Sequence, residues 1–142
     1  MIRPANDSDL AWILAEGKRF FDASGYGAVC TYRPEDVAKT LLRCQIVLVD
    51  DQHRAMAAAG LFPAFMDSQT LMAQELFWWV SPEHRGTGVA IELLEAMENA
   101  AKQLGARAML MLCIDRLDGN KVAGIYKRRG YRAAERLFMR KL

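Results

Sequence analysis

Hydrophobic residues recur at helical spacing near the start of the chain and predict two helices behind a short strand. Residues 1–4 have room only for that strand. Between residues 10 and 21 the hydrophobic positions follow one helical face, and Gly25 and Gly27 predict where the helix ends. Pro34 predicts the start of a second helix, because proline fits the first turn of a helix.

Continuous hydrophobic runs and polar turns predict a sheet in the middle of the chain. Residues 45–50 and 55–62 form a hairpin, in which the alanines at 57–59 are interpreted as strand despite their helical propensity. Residues 63–69 form a loop, and its Phe65 and Met66 are expected to pack onto the core. Residues 70–80 form the longest strand, whose end is hydrophobic on both faces, as in a central strand covered by helices on either side.

The second half of the chain predicts a β-α-β unit and a closing helix. Residues 91–104 carry a hydrophobic stripe at helical spacing, and Gly105 follows as a C-cap. Residues 108–114 form a strand parallel to 70–80 if the helix between them is a right-handed crossover. Residues 119–129 form a shorter helix, and residues 131–142 form two short strands or a hairpin. The predicted order is β-α-α-β-β-β-α-β-α-β-β, a mixed-sheet α/β fold in one domain over residues 1–142.

Composition and charge exclude several classes of protein. The chain has 142 residues, enough for one domain with a hydrophobic core. Its net charge of +2 does not favour nucleic acid or a membrane as a partner, and no hydrophobic run could span a bilayer. There is no signal-peptide pattern, and three scattered cysteines predict free thiols in a reducing cytoplasm. Two histidines without clustered cysteines argue against a zinc site.

The turn at residues 83–90 is the strongest candidate for chemistry, because it joins a buried strand to a helix. Gly86 and Gly88 can adopt backbone angles closed to other residues and leave no side chain in a ligand's way. The amides of residues 86–90 are the unpaired donors of a helix start, and the helix dipole adds positive charge there. The turn therefore predicts an anion site suited to phosphate or pyrophosphate. Neither the Walker pattern nor the dinucleotide glycine pattern is present.

What is present is Arg85-x-x-Gly88-x-Ala90, directly after a strand that ends at residue 80. This resembles motif A of the GNAT superfamily of N-acetyltransferases, which binds the pyrophosphate of acetyl-CoA. The order of elements extends the resemblance over essentially the whole chain, and it is closest to the compact single-domain members of bacteria and phages. The resemblance implies an acetyl-CoA-dependent N-acetyltransferase in which a primary amine attacks the thioester directly.

The resemblance also implies which residues hold acetyl-CoA. The backbone of Trp78, Trp79 and Val80 is implied to pair with pantetheine, and the amide of Trp79 to stabilise negative charge on the acetyl carbonyl oxygen. Both tryptophans are equally well explained as core residues. The residues implied to bind the pyrophosphate are Arg85, Gly86, Thr87, Gly88, Val89 and Ala90.

A second family motif places a tyrosine four residues before a glycine, as Tyr126 stands before Gly130. The resemblance makes Tyr126 the general acid, because a phenol of pKa near ~10 is protonated at neutral pH and can supply a proton to the leaving thiolate. The structural alternative is an aromatic side chain that anchors a helix to the sheet. Many members carry an asparagine seven residues before the tyrosine, but that position is Gly119 here. Asn120 is one residue out of register, and it either contacts the cofactor or caps the helix.

Glu75 is the candidate general base, because relatives place a carboxylate at this point of the long strand. Alternation puts Glu75 on the face of Phe77 and Trp79 unless a bulge intervenes. A carboxylate beside such rings could have a raised pKa, whereas one in solvent would be only a strand-end charge. His84 is interpreted as a surface histidine. The basic cluster at residues 127–132 is interpreted as a solvated helix end rather than a contact for the 3′-phosphate of coenzyme A.

A non-catalytic acyl-CoA-binding module, serving as a sensor or interaction protein, is the alternative function. The acceptor is an amine on a small molecule or a protein, and the segments that would select it, residues 23–32 and 63–69, carry no marked acidic patch for a polycation. The terminal strands would offer a route to a homodimer.

Overall fold

Five strands form one mixed sheet in which neighbours in sequence are also neighbours in space. The computed structural model describes residues 1–142. The strands are β1 (Ile2–Pro4), β2 (Ile46–Asp50), β3 (Ala55–Ala64), β4 (Asp67–Val80) and β5 (Ala108–Leu110). The first four pair antiparallel, and β5 runs parallel to β4, as the β-α-β pattern predicts. The helices are α1 (Leu10–Ser24), α2 (Pro34–Leu41), α3 (Val89–Gln103) and α4 (Gly119–Arg128).

Helices cover both faces of the sheet, and β3 lies between two hydrophobic clusters. On one face Ala57 and Ala59 pack with residues of α3 such as Leu93 and Met97. On the other face Ala58 packs with Ile13 of α1. Alanine side chains are short enough for helices to approach both faces, so burial between two layers overrides the helical propensity of this run.

A β-bulge in β4 reverses the alternation of its side chains. Ala58 pairs with Phe77 and Ala59 pairs with Glu75, so Leu76 is the extra residue. Simple alternation predicts that Glu75 shares the face of Phe77 and Trp79. The bulge instead places Glu75 on the opposite face. Phe77 packs toward α1, whereas Glu75 points toward α4.

Strand β5 is shorter than expected, so the edge of β4 that faces it has no strand partner beyond Gln74. Its pairing with β4 ends at Gln74 and Leu110, not near residue 114. Beyond that point the amide of Leu112 donates to the side chain of Glu75, 3.0 Å away, instead of to a backbone carbonyl. A gap therefore opens between the end of β4 and the chain that follows β5.

Two further expectations are wrong. The loop at 63–69 is mostly strand, because β3 and β4 extend to a tight turn, and Phe65 and Met66 at its tip are 94% and 86% exposed instead of packed on the core. The two terminal strands do not form. Residues 131–142 contain five charged residues among their hydrophobic ones and make no strand pairing, and Phe138 is exposed. None of the helices is long and apolar enough to cross a bilayer.

Candidate functional site

The turn between β4 and α3 presents a row of free backbone donors. Gly86 and Gly88 have φ of +83° and +87°, and a Cβ atom at either position would meet nothing within 4 Å. Glycine is therefore needed for the left-handed backbone and not for lack of space. None of the backbone amides of residues 86–90 donates a hydrogen bond within the chain. Because α3 begins at Val89, these amides lie at the positive end of its dipole.

The side chains of Arg85 and Thr87 hold the first part of this turn. The guanidinium of Arg85 lies 5.0 Å from the centre of the Trp79 ring, and its Nε donates to the carbonyl of Val80 at 3.3 Å. The hydroxyl of Thr87 donates to the carbonyl of His84 at 2.7 Å. These contacts leave the amides beyond them pointing at no other group of the chain, which suits a bound oxyanion.

Tyr126 and Glu75 meet in the gap between β4 and β5. The hydroxyl of Tyr126 donates to the carbonyl of Leu112 at 3.0 Å and lies 3.5 Å from Oε2 of Glu75. Each of the two side chains belongs to a residue that is only 6% exposed. The bulge in β4 brings them together, because it turns Glu75 toward α4.

Burial raises the pKa of both groups. Burial raises the pKa of Glu75 to about 7, although the hydrogen bonds from Leu112 and Tyr126 oppose the rise. Burial, and then the nearby charge of Glu75, raises the pKa of Tyr126 far above its ordinary value. Glu75 can therefore accept a proton near neutral pH, while Tyr126 holds its own.

Trp78 joins the turn at residues 83–90, called the anion turn below, to the pair of Glu75 and Tyr126. Its Nε1 donates to the carbonyl of Ala90 at 3.1 Å, and its ring centre lies 5.7 Å from that of Tyr126. The anion turn and the acid–base pair are consequently on the same side of the sheet and share one rigid side chain.

Comparison with known protein families identifies the family of the chain. The profile of the Acetyltransferase (GNAT) family matches residues 12–131. The chain belongs to the GNAT acetyltransferase family. No curated protein sequence matches the chain significantly.

Solved structures share the GNAT fold across their whole length. A ribosomal-protein-alanine N-acetyltransferase from Brucella melitensis is 17% identical, with a TM-score of 0.75 and coverage of 100% of this chain and 98% of the other. An aminoglycoside 6′-N-acetyltransferase from Acinetobacter haemolyticus is 19% identical, with a TM-score of 0.69 and coverage of 100% and 99%. A transcriptional regulator from Bacillus halodurans is 14% identical, with a TM-score of 0.78 and coverage of 100% and 99%. At these identities the likeness shows the fold alone.

Asn120 lies in the first turn of α4 of this GNAT fold. The N-cap of α4 is Asp118, in a left-handed conformation, and no side chain caps the helix, so Asn120 does not act as the cap. Asn120 instead lines an open, polar depression of about 630 Å³ together with Asp115, Asp118, Gly119 and Lys121.

Arg129, one of the basic residues at 127–132, is bonded to acidic side chains of α3 and is not a solvated helix end as expected. Its guanidinium donates to Glu95 and Glu98 of α3, both at 3.0 Å. Glu98 also accepts from the hydroxyl of Tyr131 at 2.8 Å. Arg129 thus holds α4 against α3, whereas Lys127, Arg128 and Arg132 form no salt bridge.

Glu16 is a buried carboxylate that the sequence interpretation missed. It lies on α1 and accepts hydrogen bonds from the ring Nε1 of Trp79 and the hydroxyl of Ser81, each at 2.7 Å. A signal for it exists in the sequence, since Glu16 stands three residues after Ile13 and four before Phe20, on the hydrophobic face of the helix.

Proposed function

We propose that this protein is an acetyl-CoA-dependent N-acetyltransferase that transfers the acetyl group to a primary amine by direct attack on the thioester. The observation that carries the proposal is the row of backbone amides at residues 86–90 that donate no hydrogen bond within the chain. They lie next to a gap that holds the carboxylate of Glu75 and the phenol of Tyr126. An anion site alone would suit many nucleotides. The neighbouring acid–base pair is what acyl transfer to an amine requires.

The donor would be held mainly by backbone. Arg85, Gly86, Thr87, Gly88, Val89 and Ala90 are the proposed pyrophosphate site, and they fit it because the amides of residues 86–90 are free at a helix start. The end of β4 at Trp78, Trp79 and Val80 is the proposed site for pantetheine, and β5 does not pair with it. Asn120 remains a weaker candidate contact. Acetyl-CoA would supply the acetyl group already activated as a thioester.

Glu75 is the proposed general base. Most primary amines are protonated at neutral pH, so the acceptor must lose a proton before it can attack. A carboxylate whose pKa is about 7 is ionised in a substantial fraction of molecules and is still basic enough to accept that proton, directly or through one water.

Tyr126 is the proposed general acid, and its role is coupled to that of Glu75. While Glu75 is ionised, its charge disfavours the phenolate and Tyr126 keeps its proton. Once Glu75 has accepted a proton, that opposing charge is gone. The phenol can then release its proton to the departing thiolate more easily, so the order of the two transfers follows from their proximity.

The acceptor class is a primary amine on a small molecule or a protein. The relatives described above act on an aminoglycoside and on a ribosomal protein, so the fold is compatible with both kinds. A homodimer through residues 131–142 stays a prediction. The alternative function is a non-catalytic acyl-CoA-binding module.

The test measures thiol release from acetyl-CoA with a mixed panel of small amines and peptide N-termini, alongside the melting temperature with coenzyme A. We expect a rise in melting temperature, since a ligand at about 100 times its Kd adds about 2.7 kcal/mol to the free energy of unfolding. We also expect thiol release with at least one amine class. A thermal shift without thiol release on any amine would support the binding module. If neither a thermal shift nor thiol release is observed, both functions are refuted.

A further inference from the structure

Glu16 is the buried carboxylate that the proposed acid–base chemistry leaves unused. It is on α1, on the opposite face of the sheet from Tyr126 and Glu75. Its Oε2 accepts from Trp79 and Ser81, and its Oε1 accepts from Nη1 of Arg19 at 2.7 Å. Its hydrogen bonds are made with groups of the chain itself, so it is not a binding site for an acceptor amine.

Arg19 extends this network to the start of the turn. Its Nη1 and Nη2 donate to the two carboxylate oxygens of Glu83, at 3.1 and 2.8 Å. Glu83 lies in the short helical turn Pro82–His84 that precedes the free amides. The ion pair therefore connects α1 to the turn across 64 residues of sequence.

Alternate residues at the end of β4 and in the turn are attached to Glu16. Trp79 and Ser81 bond to it directly, and Glu83 is attached through Arg19. Arg85 stacks on the ring of Trp79, whose orientation the bond to Glu16 sets. The free amides begin at the next residue, Gly86. A single carboxylate thus holds the segment that leads into the anion turn.

The charge of Glu16 is maintained in this environment. Burial by itself would raise the pKa of Glu16, but the hydrogen bonds from Trp79, Arg19 and Ser81 together hold it below its ordinary value. An ionised acceptor makes stronger hydrogen bonds than a neutral one, which suits a group that must fix the direction of an indole and a hydroxyl.

We propose that Glu16 is a positioning residue for the anion turn: from α1 it fixes alternate residues from 79 to 85, so that the amides of residues 86–90 stay open toward a diphosphate. This rests on the proposed function for its ligand. It adds that the helix on the opposite face of the sheet controls donor affinity without touching the donor.

The test compares Glu16→Gln with Asp50→Asn. Asp50 is also a buried carboxylate bonded to the guanidinium of an arginine, Arg54, but it lies on β2 and its side chain bonds to no residue of the turn. Arg54 meets this segment only through its backbone carbonyl, which accepts from the amide of Ser81. The Kd for coenzyme A is measured by calorimetry, which needs no acceptor. We expect Glu16→Gln to weaken binding roughly tenfold, the scale of one charge-assisted hydrogen bond, and Asp50→Asn to leave it unchanged although it lowers stability.

Two readouts on the free protein separate this inference from the proposed function. Hydrogen exchange should accelerate in Glu16→Gln at the amides of Ser81 and His84, which are hydrogen-bonded in the turn region. The indole N–H resonance of Trp79 should move upfield when its carboxylate acceptor is lost. If the parent protein does not bind coenzyme A, the proposed function fails, while exchange and the indole resonance still decide whether Glu16 orders the turn.

Arg19→Met provides a second variant if Glu16→Gln folds poorly. Arg19 is partly exposed, so its replacement should leave the core intact. The variant loses the bonds of Arg19 to Glu16 and Glu83 but keeps those of Glu16 to Trp79 and Ser81. We expect a smaller loss of coenzyme A affinity than for Glu16→Gln and faster exchange at His84. Unchanged affinity and exchange in both variants, or equal losses of affinity in Asp50→Asn, would overturn the inference.

Discussion

The hydroxyl of Tyr126 lies 3.5 Å from Oε2 of Glu75, and both side chains are buried where β4 and β5 separate. The two residues are 51 positions apart in the chain. Their contact places a carboxyl group with a raised pKa against a phenol that keeps its proton. In the function we propose, this pair is what distinguishes an acyltransferase from a simple anion-binding turn.

Replacing Tyr126 by phenylalanine tests the acid. The ring would still pack between Trp78 and Tyr131, so the fold and the anion turn should be preserved. We expect kcat to fall roughly 10²-fold, the usual contribution of general acid catalysis, with little change in the affinity for acetyl-CoA. Steady-state kinetics and calorimetry measure the two quantities. Unchanged turnover would remove Tyr126 from the mechanism.

The pH dependence of the rate tests the base. Since only ionised Glu75 can accept a proton, kcat/KM should rise with pH through a midpoint near the pKa of about 7. In Glu75→Gln this rise should disappear and the rate should be lower across the range. If the variant keeps both the rate and the pH profile of the parent protein, Glu75 is not the base.

Glu75 should also affect stability in a pH-dependent way. Its pKa is raised from 4.5 to about 7 in the folded chain, so between these values the folded state binds more protons than the unfolded state. The free energy of unfolding contributed by this group therefore falls as the pH rises through that window. We expect the melting temperature of Glu75→Gln, relative to the parent, to be higher at pH 8 than at pH 4. A constant difference would contradict burial as the cause of the shift.

Gly88 and Gly105 form a matched pair for testing the anion turn. Both have left-handed backbones, with φ of +87° and +89°, and a Cβ atom at either would meet nothing within 4 Å. Each alanine variant should therefore lose a similar stability, about 1 kcal/mol, from backbone strain alone. Only Gly88→Ala should also weaken coenzyme A binding, because relief of the strain moves the amides beside it. Equal affinity in the two variants would argue against a phosphate site at the turn.

Local chemistry explains why the anion turn could be predicted from the sequence. Gly86 and Gly88 adopt left-handed angles, and a helix start leaves its first amides free, whatever packs elsewhere. The local hydrophobic pattern also predicts which residues are buried in helices α1 and α3 and in strands β2 and β3. The errors at Phe65 and at residues 131–142 concern segments whose position depends on how far a neighbouring strand continues.

The amino-acid sequence by itself determined the order of the main elements, the family and the glycine turn before α3, because each depends on neighbours within a few positions. Only the tertiary structure decided which face Glu75 occupies, where β5 leaves the sheet and what Glu16 holds. A bulge in β4 is set by its pairing with β3, and the bonds of Glu16 to Trp79 and Ser81 join residues more than 60 positions apart. Hydrogen bonds over such separations have no periodicity along the chain, so they exist only once the helices and the sheet have packed.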